Sequence, residues 1–218
     1  TGRASHGRAV LIDVPDAPLA QVVVAGPAAG RSDRAHYAAE LANSALGGTY
    51  TSRLNQEIRV RRGLTYDVSS TLEQRDRDGM FQARAETPTG SAGEVAALML
   101  AQLDALAARG VTAGELGMRK AMLLGDLGRA TETSEDLADL LAHEAVYGRP
   151  VGEIAEYPAR LAAVSDRDVQ AAAARLDDRS QLSVIVIADA RRVSRELRRR
   201  FPAMMVVTPA TLERWAAR

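Results

Sequence analysis

The run Leu46-Gly47-Gly48-Thr49-Tyr50-Thr51-Ser52-Arg53-Leu54-Asn55-Gln56-Glu57-Ile58-Arg59-Val60-Arg61-Arg62-Gly63-Leu64-Thr65-Tyr66 constrains the fold more than any other part of the chain. Its glycine pair breaks whatever helix runs into it. Thr51 or Ser52 can then cap a new helix with a hydroxyl. Leu54 and Ile58, four apart, share one face of that helix, and Glu57, Arg59, Arg61 and Arg62 make up a charged remainder. Gly63 stops it, and Thr65-Tyr66-Asp67-Val68 reads as the start of a strand. The stretch is predicted to be loop, helix, sharp stop and strand, with Gly47 and Gly48 in a tight turn between two helices.

The rest of the chain supplies what this unit packs against. Ala9 to Val14 reads as a strand stopped by Pro15, and Gln21 to Ala25 as a buried, valine-rich strand. Gly26-Pro27 and Gly30 mark a loop. Ser32 or Asp33 can cap a helix that turns Tyr37, Leu41 and Ala45 to the core, with His36 exposed near its start. After Tyr66 comes a hairpin. Tyr66, Val68 and Leu72 share one face with Ser70, Asp78-Gly79 is the turn signal, and Phe81, Ala83 and Ala85 alternate on the return strand to Pro88 and Gly90.

A helical half follows. Ser91 with Glu94, Thr112 with Glu115, Thr133 with Asp136 and Ser165 with Asp168 have the form of capping boxes. The first helix carries Val95, Leu98, Leu100, Leu103 and Leu106 to a stop at Gly110. The second runs from Leu116 to Leu127; Gly114, Gly117, Gly125 and Gly128 either weaken it or admit a close backbone. The third carries Leu137, Leu140, Leu141 and Val146 to Gly148, and a short helix holds Ile154, Tyr157 and Leu161. Leu182 to Ile187 reads as a central strand, Arg191 to Arg200 as a charged helix and Met204 to Val207 as a last strand, before a tail with Trp215. Strands and helices cluster and do not strictly alternate. That order predicts an α+β fold, a two-layer sandwich of a mainly antiparallel sheet with helices packed on one face, in a single domain over residues 1–218.

Composition narrows the function classes. Lys+Arg and Asp+Glu both number 28, so no sequence-wide charge attracts nucleic acid or a membrane surface. Lys120 is the only lysine. With no cysteine, disulfide and thiolate chemistry are excluded and the redox compartment stays open. No apolar run approaches the roughly 20 residues of a bilayer span, and no signal peptide is visible. The chain opens on Thr1 without an initiator methionine, as a fragment, a processed product or an excised domain would. Soluble cytoplasmic and exported locations both remain open.

The string from Leu46 to Tyr66 resembles the second-half signature of the pitrilysin and mitochondrial-processing-peptidase metallopeptidases. That pattern runs Leu-Gly-Gly, Ser-Arg-Leu, Leu-Arg, then Gly-Leu-x-Tyr. Ile58 replaces the usual leucine, and Val60-Arg61 stands where an acidic residue is common. Weaker likeness extends from about Arg8 to Ala190. The resemblance implies a sandwich of this layout and an enzyme built from paired homologous halves. One half carries zinc on His-x-x-Glu-His; the other contributes an arginine and a tyrosine, seven apart, that reach the substrate. Arg59 and Tyr66 match those positions and that spacing. The resemblance therefore implies no catalytic residue and no cofactor acting in this chain alone. Its partners would be a zinc-bearing homologous half and an extended peptide, with neither nucleic acid nor membrane. Gly47 and Gly48 would form the supporting loop. Relatives of such halves also serve as non-catalytic assembly subunits, which is the alternative function.

The chemistry of the residues is compatible with these roles and with plainer ones. An inverted zinc motif needs two histidines on one helical face. His6, His36 and His143 are the three available, and no two lie within a turn of each other. Leu140-Leu141-Ala142-His143-Glu144 lacks the first histidine, so His143 reads as a surface packing or capping residue and His6 as part of a polar lead-in. Peptide hydrolysis builds negative charge on a carbonyl oxygen, which an aimed donor stabilises by a few kcal/mol. Guanidinium offers a fork of N–H donors and a phenol one O–H. The structural reading makes Tyr66 a core-edge tyrosine and Arg59 one charge of a solvated helix; residue types alone favour it, and the ordered string favours function. Arg53 and Arg62 read as surface or packing residues. Gly47-Gly48 has no following lysine, so phosphate cradling is rejected. The arginines from Arg191 to Arg200, interrupted by Glu196 and without an aromatic series, read as a solvated face and not a nucleic-acid surface.

Overall fold

The computed structural model describes residues 8–146 and 148–216, with the backbone alone for His143, Leu212, Trp215 and Ala216. The readings for His6, the His143 side chain and the Trp215 ring lie outside the described residues. In chain order the elements are β1 (Ala9–Asp13), β2 (Leu19–Ala29), α1 (His36–Leu46), a π-helix (Asn55–Arg61), β3 (Val68–Gln74), β4 (Asp78–Pro88), a 3-10 turn (Thr89–Ser91), α2 (Ala92–Arg109), α3 (Ala113–Ala130), α4 (Ser134–Val146), α5 (Gly152–Ala163), α6 (Asp166–Leu176), β5 (Ser183–Ala188), α7 (Ala190–Arg200), β6 (Met205–Val207) and α8 (Pro209–Ala216).

Six strands form one sheet in the order β3-β4-β2-β5-β1-β6. The pairs β3–β4, β4–β2 and β2–β5 are antiparallel, whereas β1 runs parallel to both β5 and β6. The alternation read from sequence sets the inner face: Val22, Val24, Val68, Phe81, Ala83, Ala85 and Val186 are buried there. Helices α1, α2 and α6 pack together over that face, adding Leu41, Val95, Met99, Leu103, Leu106, Val169 and Ala173 to the core. This is the expected α+β sandwich, mostly antiparallel, with β5 inside the sheet.

Several local expectations change. Gly26-Pro27 is not a loop, because β2 continues to Ala29 with Pro27 opposite Met80. Pairing to β5 has ended at Ala25, so the missing proline N–H breaks no ladder on that side. Asp78-Gly79 is not the hairpin turn. Residues 75–77 turn the chain, Arg75 N–H donates to Asp78 O at 2.8 Å, and Gly79 already pairs with Gln74 and Ala28. A Cβ on Gly79 would lie 2.8 Å from Ala29 O and 3.0 Å from Glu73 O, so close strand approach explains that glycine. Ser91 makes no capping bond, because the 3-10 turn in front of α2 already supplies a carbonyl: Ala92 N–H donates to Thr89 O. Ser32 and Asp33 do not cap α1 directly; Ala35 holds that place, and Asp33 takes the Ala35 N–H at 2.8 Å.

Other boundaries follow the sequence. Gly63 and Gly110 take φ of +62° and +63° after the π-helix and α2. Thr112 caps α3, and Ser165 with Asp168 closes a full capping box on α6. Thr133 takes the Asp136 N–H at 3.1 Å ahead of α4, but Leu137 and Val146 of that helix are exposed and do not reach the core. By length and composition Thr89–Arg109 meets the requirement of a bilayer span, contrary to the expectation above, since the few charges along it leave mean hydropathy at 1.2. In the fold it is a core helix, with Val95, Met99, Leu103 and Leu106 buried.

Candidate functional site

The connection from α1 to β3 is built around the predicted glycine pair. The N–H groups of Gly47 and Gly48 both donate to Asn43 O, at 3.0 and 2.9 Å, which ends α1. Gly47 O then accepts the Ser70 N–H at 3.0 Å, and a Cβ on Gly47 would stand 2.6 Å from Ser70 N. Only a glycine lets the turn lie this close to β3.

The helix after the turn is a π-helix, a form frequent at functional sites. Leu54 and Ile58 are buried as predicted, but neither Thr51 nor Ser52 caps it. Asn55 does the tying instead. Its Nδ2 donates to Val68 O at 2.7 Å and to Thr49 O at 3.2 Å, and it approaches Ser52 Oγ at 3.4 Å. Beyond Gly63, Thr87 Oγ1 donates to Leu64 O at 2.6 Å and Thr65 Oγ1 bonds to Glu86 O. These bonds hold residues 64–67 against β4 before β3 begins.

Tyr66 therefore lies outside the strand, 86% exposed. The core-edge reading is corrected: the parity shared with Val68 is broken by the bend at Tyr66, whereas its neighbour Thr65 is buried. The structure brings Arg59 and Tyr66 together, with the Arg59 Cζ 4.9 Å from the Tyr66 ring centroid. A second ring lies 5.0 Å from the same carbon, that of Tyr50, itself 61% exposed. The guanidinium thus has one aromatic ring at 4.9 Å and another at 5.0 Å, each contact typically contributing about 0.5–1 kcal/mol at exposed sites.

The neighbouring arginines behave otherwise. Arg53 forms a two-pronged pair with Glu115 at 3.0 and 2.7 Å, Arg61 pairs with Glu57 at 3.0 Å, and Arg62 with Glu57 at 2.8 Å and Glu94 at 3.1 Å. Those two partners also hold the Glu57 carboxyl below its ordinary range, Arg62 more than Arg61. Among the described residues, Arg59 has no such carboxylate and no side-chain hydrogen bond.

Sequence reasoning left out Tyr50 and Arg119. Arg119 is 3% exposed on α3, and burial lowers its pKa. Its Nη1 donates to Thr49 Oγ1 at 2.8 Å and Thr51 Oγ1 at 3.0 Å, and its Nη2 to Thr51 O at 2.9 Å. An arginine between Leu116 and Leu123, on the apolar face of a helix, was the available signal. Nothing local distinguished Tyr50 from a solvated loop tyrosine.

The described histidine does not stand in a metal-holding group. His36 is not exposed as expected but 2% exposed, because α1 turns it inward onto β3. Its Nδ1 bonds to Gln74 Oε1 at 2.9 Å, and its Nε2 lies 3.4 Å from Glu40 Oε1. Burial, assisted by the charge of Arg31, lowers its pKa to about 4. Among the described residues no three His, Asp or Glu side chains form a metal-holding group. A cavity of about 1010 Å³ lies elsewhere, between α1, α5 and α6. Its Arg31, Arg149, Arg160 and Arg175 are paired with Glu144, Glu153, Glu156 and Asp33 respectively.

Comparison with known proteins agrees with the geometry. Residues 3–123 match the family model described as the peptidase M16 inactive domain. An uncharacterized zinc protease of Streptomyces coelicolor is 31% identical over 167 residues, covering 76% of this chain and 36% of that protein. The chain thus spans about a third of the length of that relative. Among solved structures, a protease from Helicobacter pylori superposes with a TM-score of 0.79 at 19% identity, over 86% of this chain and 45% of that one. A peptidase M16 inactive domain from Pseudomonas fluorescens gives 0.76 at 22% identity, over 84% and 44%. The glycine turn, the arginine and tyrosine seven apart, the sandwich and the family match converge, and the chain belongs to the peptidase M16 family as an inactive domain of its zinc-protease-like members.

Proposed function

We propose that this chain is the zinc-free half of a pitrilysin-type metalloendopeptidase, completing the chamber that binds an extended peptide. The zinc belongs to a homologous partner half, in the same parent chain or in a separate subunit. The carrying observation is Arg59, the arginine of the turn left without a carboxylate among the described residues and set against two exposed rings. Its N–H edge takes a backbone carbonyl of the substrate, and the Tyr66 hydroxyl donates to the same region. In a closed, water-poor chamber such donors stabilise the charge that develops on the carbonyl oxygen. In this reading the general base, like the zinc, comes from the partner half.

The test is cleavage of an unstructured peptide library by the cognate zinc-bearing half, with and without this chain. Stimulation by the wild-type chain is expected. Arg59→Ala lowers kcat/KM by about 10- to 100-fold, the range for a lost hydrogen bond to a charged group, and Tyr66→Phe lowers it less. Full activity in both variants overturns the assignment. Stable association without stimulation identifies a non-catalytic assembly subunit instead.

A further inference from the structure

The proposed site gives no role to Tyr50, although its loop is braced from the distant helix α3. Tyr50 is too exposed to owe its place to the core. The residues on both sides of it are gripped by one side chain, the buried Arg119, through two hydroxyls and a carbonyl. Burying a guanidinium is costly unless its donors are satisfied; both Nη groups of Arg119 find oxygen acceptors, and its Nε has no partner among the described residues. Among the described residues Arg119 forms no ion pair, so its oxygen acceptors all lie at Thr49 and Thr51. Asn55 adds a bond to Thr49 O from the π-helix that carries Arg59. The loop and the arginine are therefore fixed in one frame.

We infer that Tyr50 is a positioning residue for Arg59, braced by Arg119. The inference rests on the reading of Arg59 as the substrate donor. The Arg59 Cζ lies 5.0 Å from the Tyr50 ring centroid and 4.9 Å from that of Tyr66. A guanidinium held there can give its N–H groups to an oxygen acceptor, the backbone carbonyl or a carboxylate of an extended chain.

The experiment is steady-state cleavage of one unstructured peptide by the chain assembled with its zinc-bearing half. Tyr50→Phe keeps the ring and is expected within twofold of wild type. Tyr50→Leu keeps apolar bulk without the ring and is expected to lose about two- to fivefold in kcat/KM, the factor that a cation–π contact at an exposed site is worth. If Tyr50 acts through Arg59, the double variant Tyr50→Leu/Arg59→Ala is no worse than Arg59→Ala. Arg119→Lys, with folding checked by its thermal transition, reproduces the loss of Tyr50→Leu and adds nothing to it. A readout independent of turnover is the proton shift of the Arg59 Nε–H in the full chain. It is displaced by ring current in wild type and Tyr50→Phe, and by a smaller amount in Tyr50→Leu.

Wild-type activity in Tyr50→Leu, or losses that multiply in the double variant, overturn the inference and leave the reading of Arg59 standing. Full activity in Arg59→Ala overturns both. Wild-type behaviour of Arg119→Lys overturns the brace.

Discussion

Arginines and glycines repeat along the turn that carries the site, and each is held by a different force. Arg53, Arg61 and Arg62 meet carboxylates, whereas Arg59 meets rings. Gly47 and Gly63 differ in the same way. Gly47 is needed for space, since a methyl group there would meet Ser70 N and Ser70 Oγ, both at 2.6 Å. Gly63 is needed for its φ of +62°, since a methyl group there would meet nothing within 4 Å. Gly47→Ala should cost about 1–3 kcal/mol as an overpacked site, and Gly63→Ala about 1 kcal/mol as a strained backbone. Urea unfolding of the two variants checks both. A cost for Gly63→Ala well above that for Gly47→Ala would contradict the division.

At the scale of elements, identical sequence patterns produce different ends. Ser91 and Ser165 each stand three residues before an acid. Only Ser165 makes the reciprocal bonds, with its Oγ accepting the Asp168 N–H at 3.2 Å and Asp168 Oδ2 accepting the Ser165 N–H at 2.8 Å. Ser165→Ala should lose about 1 kcal/mol of stability, whereas Ser91→Ala should change it little. Comparable losses in thermal unfolding would mean that Ser91 caps in solution. The α3 glycines settle a choice that the sequence left open. Gly114, Gly117 and Gly128 have no atom within 4 Å of a Cβ position, so they weaken the helix and admit no backbone. Gly117→Ala, on the exposed side, should raise stability by about 0.5–1 kcal/mol in the same measurement.

Across the whole molecule, a polar chain joins the two layers. His36 of α1 reaches Gln74 of β3, and Tyr157 of α5 donates to Glu40 at 3.0 Å. Burial lowers the His36 pKa to about 4 and raises that of Glu40. The unfolded chain protonates His36 near 6.5, so it binds more protons than the folded chain between about 6.5 and about 4. Stability from this group is complete above that window and is lost as pH falls through it, by at most about 1.4 kcal/mol per pH unit. Glu40 acts in the opposite sense: its raised pKa makes the folded chain the better proton acceptor, which offsets part of the loss. Replacing His36 with Gln removes the histidine contribution while keeping a hydrogen-bonding side chain. Urea midpoints from pH 7.5 down to 4.5 should then decline less steeply than in wild type, and parallel profiles would show that His36 does not set the acid response.

The sequence by itself determined a set of local features that depend on neighbours a few residues apart. The glycine turn, the alternation of Phe81, Ala83 and Ala85, the Ser165 capping box, the stop at Gly63 and the family string all read correctly from periodicity and backbone preference. They were enough for the sandwich and for bringing Arg59 and Tyr66 forward as a pair. Tertiary structure decided where those side chains stand. Glu115 claims Arg53 across 62 positions, and Arg119 reaches Thr49 across 70. Such contacts follow from how α3 lies against the turn, which no local pattern encodes. The same holds for His36, turned inward by the packing of α1 on β3, and for Tyr66, carried clear of the strand by bonds to β4. Local chemistry could nominate Arg59 but could not show that its carboxylate competitors were engaged elsewhere, because pairing is decided only when distant elements meet.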